Sequence, residues 1–322
     1  MTGWHDRLGV RLPLVQAPIG SACTTALVAA VSSAGGLGVL AASWTTAAEL
    51  SRQIEAVRAA TPHPFGVNLV LEWPQHERLA LALAHGVPVI STFWGDPAPC
   101  RRAIEDAGAT HFHTVGSVAE ARAAADVGVD VIVAQGWEAG GHVRGTTSTL
   151  ALVPAVADAL PATPVLAAGG ITDARGVRAA LALGAQGVWV GTAFLLAAEA
   201  ATHPVHRDRL SSATAEDTVH TEVFSDGWPA APHRALRNDT WRRWEAAGRP
   251  APGARPGEHD VVARHPERGP VLRYADVTPV TGHVGTVEDM ALYAGQGVGL
   301  LSGTRPAAAV VAELARGLHR QE

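Results

Sequence analysis

Between residues 12 and 200 one pattern recurs eight times: a short apolar run, then an Ala/Leu-rich segment of helical period. The runs are Leu12–Ile19, Gly36–Ser43, Phe65–Leu71, Val87–Trp94, Thr110–Val115, Val129–Gln135, Pro164–Gly170 and Gly187–Phe194. Near-continuous apolar strands are those buried on both faces of a parallel sheet, and alternation with helices builds βαβ units. Eight such units predict an α/β fold, a (β/α)8 TIM barrel. A doubly wound open sheet shares the local pattern and differs only in topology. Helix starts are marked by Thr45-Thr46 before Ala47–Ala60, Ser117 before Val118–Val127, and Thr172-Asp173 before Ala174–Leu183, with Gly184 as a stop.

Past Phe194 the texture changes, and residues 201–283 hold nine of the 21 prolines. A long excursion of this kind in a compact domain is usually a lid or a disordered segment. Trp228, Trp241 and Trp244 favour packing. The expected organisation is a barrel over residues 1–200, an irregular cap over its mouth at 201–283, and C-terminal helices at 284–322 that pack back on the barrel. Those helices are expected at Thr286–Tyr293 and Pro306–Leu318, on either side of Gly295-Gln-Gly-Val-Gly.

Charge and residue usage narrow the function classes. The 25 basic residues are all arginine and face 30 acidic ones, a formal charge of −5. No basic field exists for nucleic acid or anionic lipid. Without lysine there is no Schiff base and no Walker phosphate site. Cys23 and Cys100 cannot form a disulfide framework or a cysteine-rich metal site, and no leader or continuous apolar span stands out, so a cytoplasmic protein without a membrane partner is expected.

In a barrel the active site lies at the C-terminal ends of the strands, with a phosphate site often behind the seventh and eighth. Strand seven ends in Ala167-Ala168-Gly169-Gly170 and strand eight in Val190-Gly191-Thr192. Small residues there let backbone N–H groups approach an anion, so a phosphorylated cofactor fits. Gly35-Gly36-x-Gly38 precedes a strand and is not a dinucleotide fingerprint. Strand six runs into the polar, glycine-rich Gln135-Gly-Trp-Glu-Ala-Gly-Gly-His142, where His142 is a candidate base between two glycines and the mouth. Glu138 is a second candidate base, equally able to fix the loop. Asn68 and Gln16, amides at strand ends, suit the polar edge of a heterocycle. His111 and His113 lack the partners of a metal site, so no metal is expected; His113, if it faces the mouth, touches the cofactor instead. Arg144 beside His142 offers a charge to an anionic substrate.

These segments together resemble the nitronate monooxygenases, once called 2-nitropropane dioxygenases, which are FMN-dependent (β/α)8 enzymes. The likeness rests on Gln16-Ala-Pro-Ile, Ser33-Ala-Gly-Gly-Leu-Gly, Phe65-Gly-Val-Asn, Gln135-Gly-x-Glu-Ala-Gly-Gly-His, Ala168-Gly-Gly-Ile, Gly184-Ala-x-Gly-Val-x-x-Gly-Thr-x-Phe and Gly295-Gln-Gly-Val-Gly-Leu. It implies that Ala17, Pro18, Ile19 and Asn68 hold the isoalloxazine ring, and that Gly140 and Gly141 lie beside it. It further implies that Gly170, Gly191 and Thr192 bind the phosphate, and that His142 is the catalytic base. Gln135, Ala168, Gly169 and Gln296 complete the expected contacts. The chain departs from the family at Ile19, where members have methionine, and at Gln296-Gly297, where Gln-Ser is common.

The implied reaction takes an alkyl nitronate, or a nitroalkane that His142 first deprotonates, and uses oxygen to give a carbonyl compound and nitrite. The same loop and phosphate motifs also resemble flavin-dependent enoyl-acyl-carrier-protein reductases and NADH:quinone reductases, which draw electrons from NAD(P)H. An acidic carrier protein would require a basic rim around the mouth, and the arginine-rich cap is where such a rim would lie. A catalytically silent flavin-binding protein would have no use for a histidine in this loop.

Overall fold

The computed structural model describes residues 3–318. Eight parallel strands form one sheet: Leu14–Gln16, Gly38–Ala41, Phe65–Val70, Val89–Phe93, Thr110–Val115, Val131–Gln135, Val165–Ala168 and Val188–Val190. From the second to the eighth, each pairs with its sequence neighbour, and the first pairs with the eighth. A bridge between Val15 and Leu37 joins the remaining edges, with Gln16 N–H donating to Leu37 O at 2.9 Å. The sheet is therefore the expected barrel. The eighth strand is shorter than its apolar run, because Thr192–Leu195 turns into helix.

Period-two alternation sorts the strand residues into two cores. Val39, Val89, Phe112, Val131, Val133, Leu166 and Trp189 fill the barrel with Trp4, whose indole N–H donates to Gln186 O at 3.0 Å. Leu14, Ile132, Ala134, Ala167, Val188 and Val190 face outward to the helices. Helix Thr25–Ser33 lies so close to the second strand that a Cβ at Gly38 would sit 2.3 Å from Val28 O. The predicted helix starts are made: Thr46, Ser117 and Asp173 side chains accept from the N–H groups of Glu49, Glu120 and Gly176. Helix Ala307–Ala315 packs against Thr25–Ser33 and Ala174–Ala182.

The excursion is more regular than its proline content predicts. It holds helices Pro204–Ser212 and Asp239–Ala246 and contributes to two small antiparallel sheets. One sheet joins Thr218–Thr221, His233–Leu236 and Gly141–His142, so a strand from the excursion pairs with the loop that carries His142. The other joins Val261–His265, Gly269–Leu272 and Val284–Gly285.

The helix expected at Thr286–Tyr293 is not formed: one 3-10 turn, Val287–Asp289, gives way to extended chain. Met290, Ala291 and Leu292 are all buried. The segment instead bonds along His233–Leu236, with Leu236 N–H donating to Leu292 O at 2.8 Å. No helix among the described residues is long and apolar enough to cross a membrane.

Candidate active site

A cavity of about 580 Å³ opens at the C-terminal ends of the barrel strands, under the excursion. One wall is backbone. Ala17, Pro18 and Ile19 after the first strand, Gly140 and Gly141 after the sixth, Ala168, Gly169 and Gly170 at the seventh, and Gly191 and Thr192 at the eighth all line it. Glycine is required where these loops meet: a Cβ at Gly140 would stand 2.3 Å from Gly295 N, and one at Gly297 would stand 2.8 Å from Gly170 O. Gly169 and Gly170 take φ values of 107° and 72°, left-handed conformations that side chains disfavour. The Gly170 and Gly191 N–H groups find no backbone acceptor, as an anion site requires.

Two amides support this wall. Asn68 faces the cavity, its Oδ1 accepting from the Ser91 hydroxyl at 3.0 Å. Gln135 braces the loop, donating to His142 O at 3.0 Å and accepting from Arg144 N–H at 3.1 Å. Arg234, buried in the excursion, donates to Trp137 O at 3.0 Å and clamps the same loop from above.

Several expected residues lie elsewhere. His113 points away from the mouth, because its neighbours Phe112 and Thr114 take the inward positions of that strand. Its Nδ1 and His111 Nε2 share the Thr92 hydroxyl, each at 2.8 Å, between sheet and helices. Gln296 lines a separate crevice of about 330 Å³ beyond Gly170 and Gly297. Gln16 is fully buried and ties the first strand to the second, its Oε1 accepting from Val39 N–H at 3.2 Å. Glu138 is spent on the start of helix Thr149–Ala159, accepting from Thr149 N–H at 2.8 Å and its hydroxyl at 2.9 Å, so it is no base. Arg144 pairs with Glu120 at 2.8 Å and stacks on Trp94, off the cavity wall.

The rest of the lining includes large side chains from the barrel rim, the excursion and the chain after it. Trp228 is buried, and His142 stacks on it with ring centroids 3.9 Å apart. Trp44 and Phe93 extend the aromatic surface from the barrel rim. Asp276 and Tyr293 belong to the same lining. Tyr293 donates its hydroxyl to Asp276 Oδ1, and Asp276 Oδ2 lies 3.7 Å from His142 Nε2. That separation is too long for a hydrogen bond, and His142 Nε2 is buried without a partner.

Burial sets the charges. His142 is held well below the usual histidine range by desolvation, with His233 adding to the effect. Desolvation pushes Asp276 up to about 6, against the hydrogen bond from Tyr293. At neutral pH the pair is a neutral imidazole facing a carboxylate. The sequence signalled His142 through its glycines; Asp276 and Tyr293 carry no motif, and only folding brings them to the histidine.

A family model described as nitronate monooxygenase matches residues 4–77 and 72–317. The chain is 37% identical over 247 residues to a (3aS,4S,5R,7aS)-5-hydroxy-7a-methyl-1-oxo-octahydro-1H-indene-4-carboxyl-CoA dehydrogenase of Mycobacterium tuberculosis, covering 76% of this chain and 68% of that protein. Among solved structures it is similar to a nitroalkane oxidase from Streptomyces ansochromogenes, with TM-score 0.80, 29% identity and coverage of 98% and 99%. FabK from Thermotoga maritima also superposes with TM-score 0.80, at 27% identity and coverage of 98% and 96%.

Proposed function

The chain belongs to the nitronate monooxygenase family, an FMN-dependent group of flavin oxidoreductases, and from that premise we propose that it oxidises alkyl nitronates with oxygen to a carbonyl compound and nitrite. Nitroalkanes enter after losing the proton on the carbon that bears the nitro group. Bound FMN supplies the redox chemistry. The backbone wall suits such a group: glycines keep Cβ atoms out of the cavity, and the free N–H groups of Gly170 and Gly191 suit its phosphate. In this reading Ala17, Pro18, Ile19 and Asn68 hold the ring, while Gly140 and Gly141 allow close approach.

The observation that carries the reading is His142, a neutral, buried imidazole that lines the same cavity as that cradle. A neutral imidazole can take a proton, and general-base catalysis contributes about 10²–10⁴-fold. Trp44, Phe93 and Trp228 offer an apolar surface to the substrate's alkyl group.

A reductase that draws electrons from NAD(P)H is the second reading, favoured by the equal superposition on FabK. A carrier-protein substrate would use the excursion's eleven arginines, and four of these are engaged in ion pairs. Arg243, Arg249, Arg255 and Arg273 pair with Asp239, Glu245, Asp226 and Asp289. Arg268 is the arginine that reaches the cavity wall.

Anaerobic mixing of the FMN-loaded protein separates the two. Bleaching of flavin absorbance by an alkyl nitronate and not by NADH or NADPH is the expected result, and rapid bleaching by a nicotinamide alone overturns it. His142→Asn is expected to slow turnover of neutral nitroalkanes about 10²–10⁴-fold while sparing preformed nitronates. Equal losses on both substrates would remove His142 from the role of base.

A further inference from the structure

Two polar groups at the cavity wall are unspent, and they lie close together. His142 Nε2 has no hydrogen-bond partner. Asp276 uses Oδ1 to accept from Tyr293 and leaves Oδ2 free at 3.7 Å from that nitrogen. The side chains are 10% and 11% exposed, and His142 Nε2 is itself buried, so leaving that nitrogen unpaired is costly. We propose that Asp276, anchored by the Tyr293 hydroxyl, is the positioning partner of His142: it selects the Nε2–H tautomer and stabilises the imidazolium formed when Nδ1 takes a proton from substrate carbon. This rests on the reading of His142 as the base.

The proton balance is simple. The C–H bond of the nitroalkane breaks, its electron pair stays on the substrate as the nitronate, and the proton passes to Nδ1. The Nε2–H then faces the carboxylate, which keeps its charge throughout. Closing the gap takes about 1 Å, into the range of charge-assisted bonds. Stacking on Trp228 leaves the ring free to move in its own plane and sets the cation over an aromatic face. The arrangement follows the logic by which a buried carboxylate orients a catalytic imidazole elsewhere.

Other titratable groups near the ring do not replace the carboxylate. His233 lies 5.5 Å away and is itself depressed to about 4 by burial, so it brings no negative charge. Tyr293, 5.7 Å away, is held well above the usual tyrosine range and stays protonated. Arg144, on the same loop, is engaged by Glu120, and Asp226 is engaged by Arg255. Arg268 and His283 also line the cavity.

Because Asp276 takes up a proton near pH 6, its support is present above that pH and lost below it. The test uses FMN-loaded wild type, Asp276→Asn and Tyr293→Phe, with histidine ¹⁵N NMR to follow His142, assigned by its loss in His142→Asn. Asp276→Asn is expected to lower the His142 titration by at least about one pH unit. It should also cut kcat/KM for a neutral nitroalkane about 10–10³-fold while preformed nitronate stays within about threefold. The acid limb near pH 6 should disappear with it. Tyr293→Phe, which keeps the carboxylate, should give the same pattern at smaller size.

An unmoved His142 titration in both variants, or equal losses on the two substrates, overturns the pairing. If His142→Asn itself spares nitroalkane deprotonation, the base reading fails, and the NMR titration still decides whether Asp276 and His142 are coupled.

Discussion

The two walls of the cavity are built from opposite materials. The barrel contributes mainly backbone, with Gly140, Gly170 and Gly191 holding side-chain bulk out of the space. The excursion contributes Trp228 and Asp276, and the chain that follows adds Tyr293. A wall of N–H groups suits a constant partner such as FMN, while a wall of side chains can be altered without disturbing that partner. On the proposed reading, cofactor binding and substrate chemistry are separable, because different stretches of chain supply them.

Trp228→Ala attacks the side-chain wall and should have the largest effect, about 3–5 kcal/mol of local stability, since Trp228 packs against Trp73, Trp94 and His142. Hydrogen exchange should show the loss around residues 222–236 while flavin absorbance stays with the protein. Release of the flavin by this substitution would break the division between the walls.

Gly191→Val attacks the other wall. A Cβ there has room, its nearest neighbour being Ala17 Cβ at 3.6 Å, so the fold should tolerate it. Disturbing a charged hydrogen bond at the proposed phosphate site costs about 1.5–3 kcal/mol, or roughly 10–100-fold in FMN affinity. Titration of the apoprotein with FMN measures this, and unchanged affinity moves the phosphate elsewhere.

Acid tests both regions together. His111 and His113 on the barrel are depressed to about 3 and 4, and His206 and His233 beyond it to about 3 and 4, all chiefly by burial. The unfolded chain binds protons from about pH 6.5 downward while the folded chain does not. Stability is therefore intact above 6.5 and falls as pH drops toward 4, by up to about 1.4 kcal/mol per pH unit for each histidine. Urea unfolding at pH 7, 6 and 5 should show the decline, and a flat profile would contradict the burial of these rings.

Trp44→Ala should have the smallest effect. Trp44 is 58% exposed and lines the cavity at its rim. A long-chain alkyl nitronate should lose about threefold in kcat/KM, of the order of one methylene's burial, and a two-carbon nitronate nothing. Equal losses for both would show that Trp44 shapes the loop and not the substrate site.

The barrel was legible because its signals are local. Apolar runs, the caps at Thr46, Ser117 and Asp173, and the glycine turn at Gly169-Gly170 each act within a few residues. Legibility ended where a strand is apolar on both faces, since inward and outward positions then look alike. For His113 the sequence leaves the facing open, and the structure gives the inward position to Thr114. Glu138 shows a related limit: the loop it stands in was readable, but the helix N-terminus that takes its carboxylate was not.

The sequence by itself determined the eight strand–helix units, the glycine-framed loops and the histidine among them, because backbone conformation and hydrophobic period are local properties. Tertiary structure alone decided that Tyr293 lies in extended chain along His233–Leu236 instead of in a helix. It alone brought Asp276 within 3.7 Å of His142 across more than a hundred residues of chain. Burial and pairing between distant segments have no signature in either segment, so the charge partner of the proposed base becomes visible only when the chain closes over it.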